Sequence, residues 1–133
     1  SDVCSSDLSD EWHRAHLNAP KSVVPGSIMP AYPWLAATEL DFDHIADDLK
    51  IQATLGVPYS PEMIASARAD VQTQASADAA DADALAKRYP NAQARDFDGN
   101  PARVTEADAL IAYLQMLGTL VKFSDIPPER LRQ

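Results

Sequence analysis

Cysteine, glycine and basic residues are scarce in this chain of 133 residues. The single cysteine, Cys4, excludes an intrachain disulfide and leaves the redox compartment open. The chain has 4 glycines and 10 prolines, so fixed bends divide it more often than flexible hinges do. With 11 Lys and Arg against 20 Asp and Glu, the net charge is −9, which argues against a nucleic-acid-binding or anionic-membrane surface.

Long apolar runs are also missing. The longest, Leu110 to Phe123, is interrupted by Gln115 and Lys122 and falls short of the roughly 20 residues that a membrane span needs. The N-terminus lacks the basic-then-apolar order of a signal peptide. Paired catalytic carboxylates, a nucleophile beside a base and a glycine-rich phosphate loop are all absent, so no catalytic class is indicated.

The first eight residues are expected to be extraneous to the protein. Their run DVCSSDL resembles the one-frame translation of a common sequencing-adapter oligonucleotide. We therefore exclude residues 1–8 from fold reasoning and expect an upstream region of the reading frame to be missing. A natural polar tail is the alternative interpretation.

About four segments carry helical signals and none carries the alternation of a β-strand, which predicts an all-α fold. The first has Ser9 as N-cap and stops near Asn18 before Pro20. The second has Asp41 as candidate cap and ends at Gly56, and the third opens at Ser60-Pro61.

The last predicted helix begins at Thr105, with Asp108 as its partner in a short capping box. Apolar residues recur along it at helical spacing and are expected to form its buried stripe. They are Leu110, Ile111, Leu114 and Leu117.

Residues 20–34, PKSVVPGSIMPAYPW, combine four prolines with large apolar side chains. The proline spacing argues against any helix or central strand here. Loops normally face water, so this apolar content predicts a loop that packs against something large and flat.

Residues 69–103 are predicted to form a solvated or flexible insertion. From Asp70 to Ala86 the chain is mainly Ala, Asp, Gln, Ser and Thr, so almost nothing there is expected to be buried. Proline, asparagine and glycine at 90–103 predict a surface loop. This insertion belongs to a predicted domain over residues 9–123, which is followed by a polar tail at 124–133.

Two stretches resemble one known family. Ser9 to Leu35, SDEWHRAHLNAPKSVVPGSIMPAYPWL, resembles the helix and haem-covering loop of the mono-haem cytochrome c subunit (subunit II) of cbb3-type cytochrome c oxidase. Glu106 to Gly118, EADALIAYLQMLG, is similar to the C-terminal helix of that subunit and of class I cytochromes c, and Leu55 to Ala67 also fits. The resemblance covers most of residues 9–123 and implies a truncated class I cytochrome c-like domain.

The resemblance implies a haem c held by a Met of the proline-rich loop and by the His of an upstream CxxCH motif. Carried over, Met29 is the predicted distal iron ligand. The other residues expected to contact the haem are Ile28, Pro30, Tyr32, Trp34 and His16. This sequence departs from the family twice: it contains no CxxCH, since Cys4 precedes SSDL, and Gly26 stands where the family has Glu.

The implied function is to relay electrons from a cytochrome c donor to the oxygen-reducing subunit, without bond chemistry of its own. The implied partners are that catalytic subunit and the di-haem cytochrome c subunit, on the periplasmic side of the bacterial inner membrane. A missing N-terminal helix would be the only membrane attachment. Two alternatives remain: a non-redox acidic helical module that binds proteins through residues 20–34, and a soluble cytochrome c of another pathway.

Several residues also have ordinary structural explanations. Met29 alone would suggest a core filler, and His13 with His16 lacks the further ligands of a metal site. Arg14 could pair with a haem propionate or lie in solvent. The acidic residues of 41–48 are better explained as caps and a solvated face than as a cation site.

Overall fold

The computed structural model of the protein describes residues 8–76 and 79–117. In that part it is built from six α-helices and one short 3-10 turn at Pro33–Ala36. The helices are α1 Asp10–Asn18, α2 Pro20–Val23, α3 Ile45–Thr54, α4 Pro61–Gln74, α5 Ala79–Arg88 and α6 Glu106–Leu117. The predicted all-α class is confirmed, with more helices than the four expected.

Two predicted helix starts are confirmed by their caps. Ser9 Oγ accepts a hydrogen bond from the Trp12 amide at 3.1 Å and opens α1. Ser60 Oγ accepts from the Met63 amide at 3.2 Å, while Pro61 occupies the first turn of α4, where no amide proton is needed.

The predicted start of α3 was wrong by several residues. Asp41 does not cap the helix; its carboxylate accepts from the Asp43 amide at 3.1 Å, which forms a separate turn. The helix begins at Ile45 with His44 in the cap position, so Phe42 precedes it. Gly56, with a φ of +100°, ends this segment as predicted, because that angle favours glycine.

The prediction that no helix survives in residues 20–34 was also wrong. Pro20 begins the four-residue α2, and Pro33 begins the 3-10 turn. Both prolines lie in a first turn, where their fixed φ is helical and their missing amide is not needed. Between them the chain is irregular, as expected.

The Ala/Asp-rich segment buries more than its composition predicts. Leu85 on α5 is only 3% exposed, and Asp70 on α4 is buried as well. Arg88 donates to both carboxylate oxygens of Asp70, from Nε at 3.0 Å and from a terminal nitrogen at 2.5 Å. Because Arg88 pairs with both oxygens of Asp70, this carboxylate can be buried. Amino-acid composition alone does not predict such a pair.

The capping box of α6 is confirmed, but its buried face is rotated. The Thr105 amide donates to the Asp108 carboxylate at 3.0 Å, and the Asp108 amide donates to the Thr105 hydroxyl at 3.2 Å. Buried positions on α6 are Ala107, Asp108, Ile111 and Gln115. Leu117, predicted in the buried stripe, is 40% exposed, since the polar partners of Asp108 and Gln115 turn those residues inward.

The core joins the two stretches that carry the family resemblance. Leu17 of α1 and Ile111 of α6 form a buried cluster with Phe97, and Met29, Leu35, Leu110 and Ala112 pack against it. A cavity of about 460 Å³ with mostly apolar walls (the larger cavity) lies between α3, α4, α5 and α6. In the described part of the chain, no helix is both long and apolar enough to cross a membrane.

We predict that Leu85→Ala lowers the free energy of unfolding by about 2–3 kcal/mol, because it removes buried methyl groups and leaves a void. The matched control is Leu55→Ala, since Leu55 is 74% exposed. Urea unfolding followed by circular dichroism measures both. Equal, small effects of the two substitutions would contradict a packed position for α5.

Candidate functional site

Met29 lies where the proline-rich loop meets the core. Its partly buried side chain packs against the cluster of Leu17, Phe97 and Ile111. The Met29 amide donates to Ser27 Oγ at 3.2 Å, and the Tyr32 amide donates to the Leu17 carbonyl at 2.7 Å. The loop is therefore fixed to the end of α1 on one side of the methionine.

Several of the other apolar residues of the loop are exposed. Ile28 is 100% exposed and Trp34 is 53% exposed, while Pro30 is also exposed. Tyr32 is half-buried, and its ring meets Trp34 edge-on at 5.3 Å between centroids. This part of the loop therefore exposes apolar side chains, which suits an apolar binding partner.

The predicted residue His16 lies on α1 and stacks on Trp12, with ring centroids 4.5 Å apart. His13 meets the same indole edge-on at 5.4 Å and is buried. Trp12 thus holds both imidazoles in packing contacts. The role of His16 at a haem edge stays a prediction.

A second cavity, of about 290 Å³, lies between α1 and the end of the loop. Its walls include Arg14, Leu17, Tyr32, Leu35 and Ala107. Arg14 also donates to the Asp98 carbonyl at 2.9 Å, so its guanidinium already joins α1 to the 96–100 turn. Met29 lines neither this cavity nor the larger one.

A hydrogen-bonded network that the sequence did not predict ties α1 to α6. Arg95 donates to both carboxylate oxygens of Asp10, at 2.5 and 2.9 Å, and Gln115 donates to Asp10 at 2.8 Å. Burial raises the pKa of Asp10, but the hydrogen bonds from Arg95 and Gln115 outweigh it, so the pKa is lowered overall.

Three carboxylates cluster beside this network: Asp96, Asp98 and Asp108, with oxygens within 4.8 Å of one another. Asp108 accepts from the amides of Phe97 at 3.2 Å and Asp98 at 3.0 Å, and Asp98 accepts from the Thr105 hydroxyl at 2.7 Å. Burial raises the pKa of Asp108. Because protein donors occupy these oxygens, the cluster acts to fold the loop onto α6.

Two of the acidic residues of 41–48 form ion pairs on the surface, whereas the helix cap predicted at Asp41 is wrong. Asp43 pairs with Arg68, and Asp47 pairs with Lys50 at 2.8 Å on the surface. The structural role of residues 95–98, which contact α1 and α6, was not predicted from the sequence. Its only signal is the DFDGN run, whose closely spaced carboxylates suit tight turns.

The residues present fit one side of a haem c site. Met29 offers a soft thioether donor, and Ile28 and Trp34 of the same loop are exposed apolar side chains. The two thiols and the imidazole of a CxxCH motif are not in this sequence. Within this sequence Met29 is therefore the candidate donor for such a site, and its ligation of haem stays a prediction.

We predict that Asp10→Asn destabilises the protein by about 1 kcal/mol at pH 7, since the neutral amide loses the paired Arg95 contact. The lowered pKa of Asp10 gives stability that is present above the ordinary value of 3.8 and is lost as pH falls through the folded-state pKa. Below about pH 4, the free energy of unfolding of the variant should therefore fall less steeply with decreasing pH than that of the unsubstituted protein. Glu11→Gln, at an exposed neighbouring position, is the control, and an identical change in both curves would contradict the role of Asp10.

Comparison with protein families gives a match over most of the chain. A family model described as "Cytochrome C oxidase, mono-heme subunit/FixO" matches residues 4–121, well over half of the chain. A search of curated proteins found no match. The chain therefore belongs to the mono-haem (FixO) subunit family of cytochrome c oxidase.

Proposed function

We propose that this chain forms the methionine side of a His/Met-ligated haem c that relays electrons from a cytochrome c donor to the oxygen-reducing subunit. The observation that carries the proposal is the position of Met29. Its partly buried thioether lies on the proline-stiffened loop, beside the outward-facing Ile28 and Trp34, in a chain of the mono-haem oxidase subunit family.

The thioether suits this role because sulfur is a soft donor for haem iron. When bound, the haem supplies reversible one-electron chemistry, and a Met axial ligand raises its potential. In this chain Met29 would hold the iron, while Ile28, Pro30, Tyr32 and Trp34 would cover the porphyrin and exclude water. Exclusion of water also raises the potential, since it disfavours the more highly charged oxidised state.

The backbone around Met29 supports electron transfer by keeping the sulfur in place. Prolines at 25, 30 and 33 remove rotational freedom from the loop. The Tyr32 amide anchors the loop to the Leu17 carbonyl at 2.7 Å. His16 would lie at the haem edge, with its ring orientation fixed by stacking on Trp12.

The proposed partners are the oxygen-reducing subunit and the di-haem cytochrome c subunit of the same complex. The proposed location is the periplasmic side of the bacterial inner membrane, with a helix outside this sequence as the anchor. A net charge of −9 favours contacts with proteins over contacts with anionic lipid. The chain would carry electrons and catalyse no bond chemistry.

One observation favours a second candidate function. The exposed Ile28 and Trp34 would also suit a protein-docking surface without haem. The family match favours the haem-bearing function, and the presence or absence of haem separates the two.

We predict that Met29→Leu abolishes the spectroscopic signature of methionine ligation while the covalent haem is retained. The variant is expressed with the coding region upstream of Ser9 and with cytochrome c maturation proteins, and reduced and oxidised spectra are recorded. Leucine conserves volume but has no donor atom, so the loss reports ligation rather than packing. Met116→Leu is the matched control, since Met116 lies on α6 and lines the larger cavity.

A low-spin spectrum that loses its methionine signature in Met29→Leu alone supports the proposal. An unchanged spectrum in Met29→Leu would show that another group holds the iron. A product without haem would favour the second candidate, and Ile28 and Trp34 would then be tested as a protein-binding surface.

A further inference from the structure

We infer that Phe97 is a positioning residue for the Met29 thioether. This inference rests on the proposed function, because it concerns the conformation from which Met29 would ligate the haem. It assigns a role to residues 95–98, which composition marks as an exposed loop outside the two stretches that resemble the family.

Phe97 belongs to the buried cluster that Met29 contacts. It is 3% exposed, and it shares the cluster with Leu17 of α1 and Ile111 of α6. Met29 packs against this cluster from the loop. Of the three, only Phe97 comes from outside a helix, so its position depends on its own local contacts.

Two sets of contacts fix Phe97. Its amide donates to Asp108 at 3.2 Å, which ties its backbone to the first turn of α6. Above its ring lies the guanidinium of Arg95, 4.8 Å from the ring centroid. Arg95 in turn holds both carboxylate oxygens of Asp10, at the start of α1. The ring is therefore held between α1 and α6.

The consequence for Met29 follows from the flexibility of methionine. Its side chain has three rotatable bonds, and aromatic rings make favourable contacts with its sulfur. Ligation requires one side-chain conformation, so a fixed aromatic wall raises the fraction of molecules that hold it. Without that wall the Met29 thioether would hold the iron in a smaller fraction of molecules, and an external ligand would compete with it more successfully.

The chain offers a matched comparison at Phe42. This half-buried ring also lies under an arginine, with the Arg68 guanidinium 5.2 Å from its centroid. Both phenylalanines line the larger cavity, but Phe42 is outside the cluster that Met29 contacts. A general loss of packing should therefore affect both positions, and a loss of thioether positioning should affect Phe97 alone.

The test uses the haem-loaded subunit and measures imidazole affinity for the ferric haem, together with the midpoint potential. We expect Phe97→Ala to bind imidazole about tenfold more tightly than the unsubstituted protein, with a lowered potential. Phe97→Leu should lie between them, and Phe42→Ala should stay within about twofold of the unsubstituted protein. Urea unfolding of each variant measures the stability change separately.

Unchanged imidazole affinity in Phe97→Ala or, if that variant does not fold, in Phe97→Leu would overturn the inference and leave Phe97 a purely structural residue. An equal change in Phe42→Ala would overturn it as well. If the unsubstituted protein shows no spectroscopic signature of methionine ligation, the proposed function is refuted, and the inference with it. The two failures are thus distinguishable by the spectrum of the unsubstituted protein.

Discussion

The contact between the proline-rich loop and the Leu17, Phe97 and Ile111 cluster is the constraint on which the candidate site depends. Through it, a segment without regular hydrogen bonding is held against α1 and α6. The hydrogen bond from the Tyr32 amide to the Leu17 carbonyl closes the loop at one end. An apolar cluster alone is not directional, so this bond and the prolines determine which side of the loop faces inward.

The polar contacts of residues 95–108 extend the same constraint. Asp10 pairs with Arg95, and Asp108 accepts from the amides of Phe97 and Asp98. The partly buried Asp10 and the buried Asp108 each have several donors, which makes their burial tolerable. A chain with a small apolar core can thereby order the polar segment 95–108 against α1 and α6.

Local signals predicted the caps at Ser9, Ser60 and Thr105 because those depend on neighbours within one turn. The resemblance pointed to Met29, whose role as a ligand stays a proposal. What the sequence could not supply were contacts across long separations. Arg95 lies 85 residues from Asp10, and the fork from Arg88 spans 18 residues to Asp70. The inward turn of Gln115 depends on Asp10 in the same way, which is why the buried face of α6 was misassigned.

The most direct test of Met29 as the axial ligand is NMR of the reduced, haem-loaded subunit with carbon-13-labelled methionine methyl groups. The chain has 3 methionines, so Met63 and Met116 serve as internal references. A methyl group on a ligating sulfur lies over the porphyrin face, where the ring current shifts its proton resonance strongly upfield. We predict one such resonance, absent in Met29→Leu. Methionine methyl resonances that all lie in their ordinary range, or an upfield resonance that persists in the variant, would contradict the account.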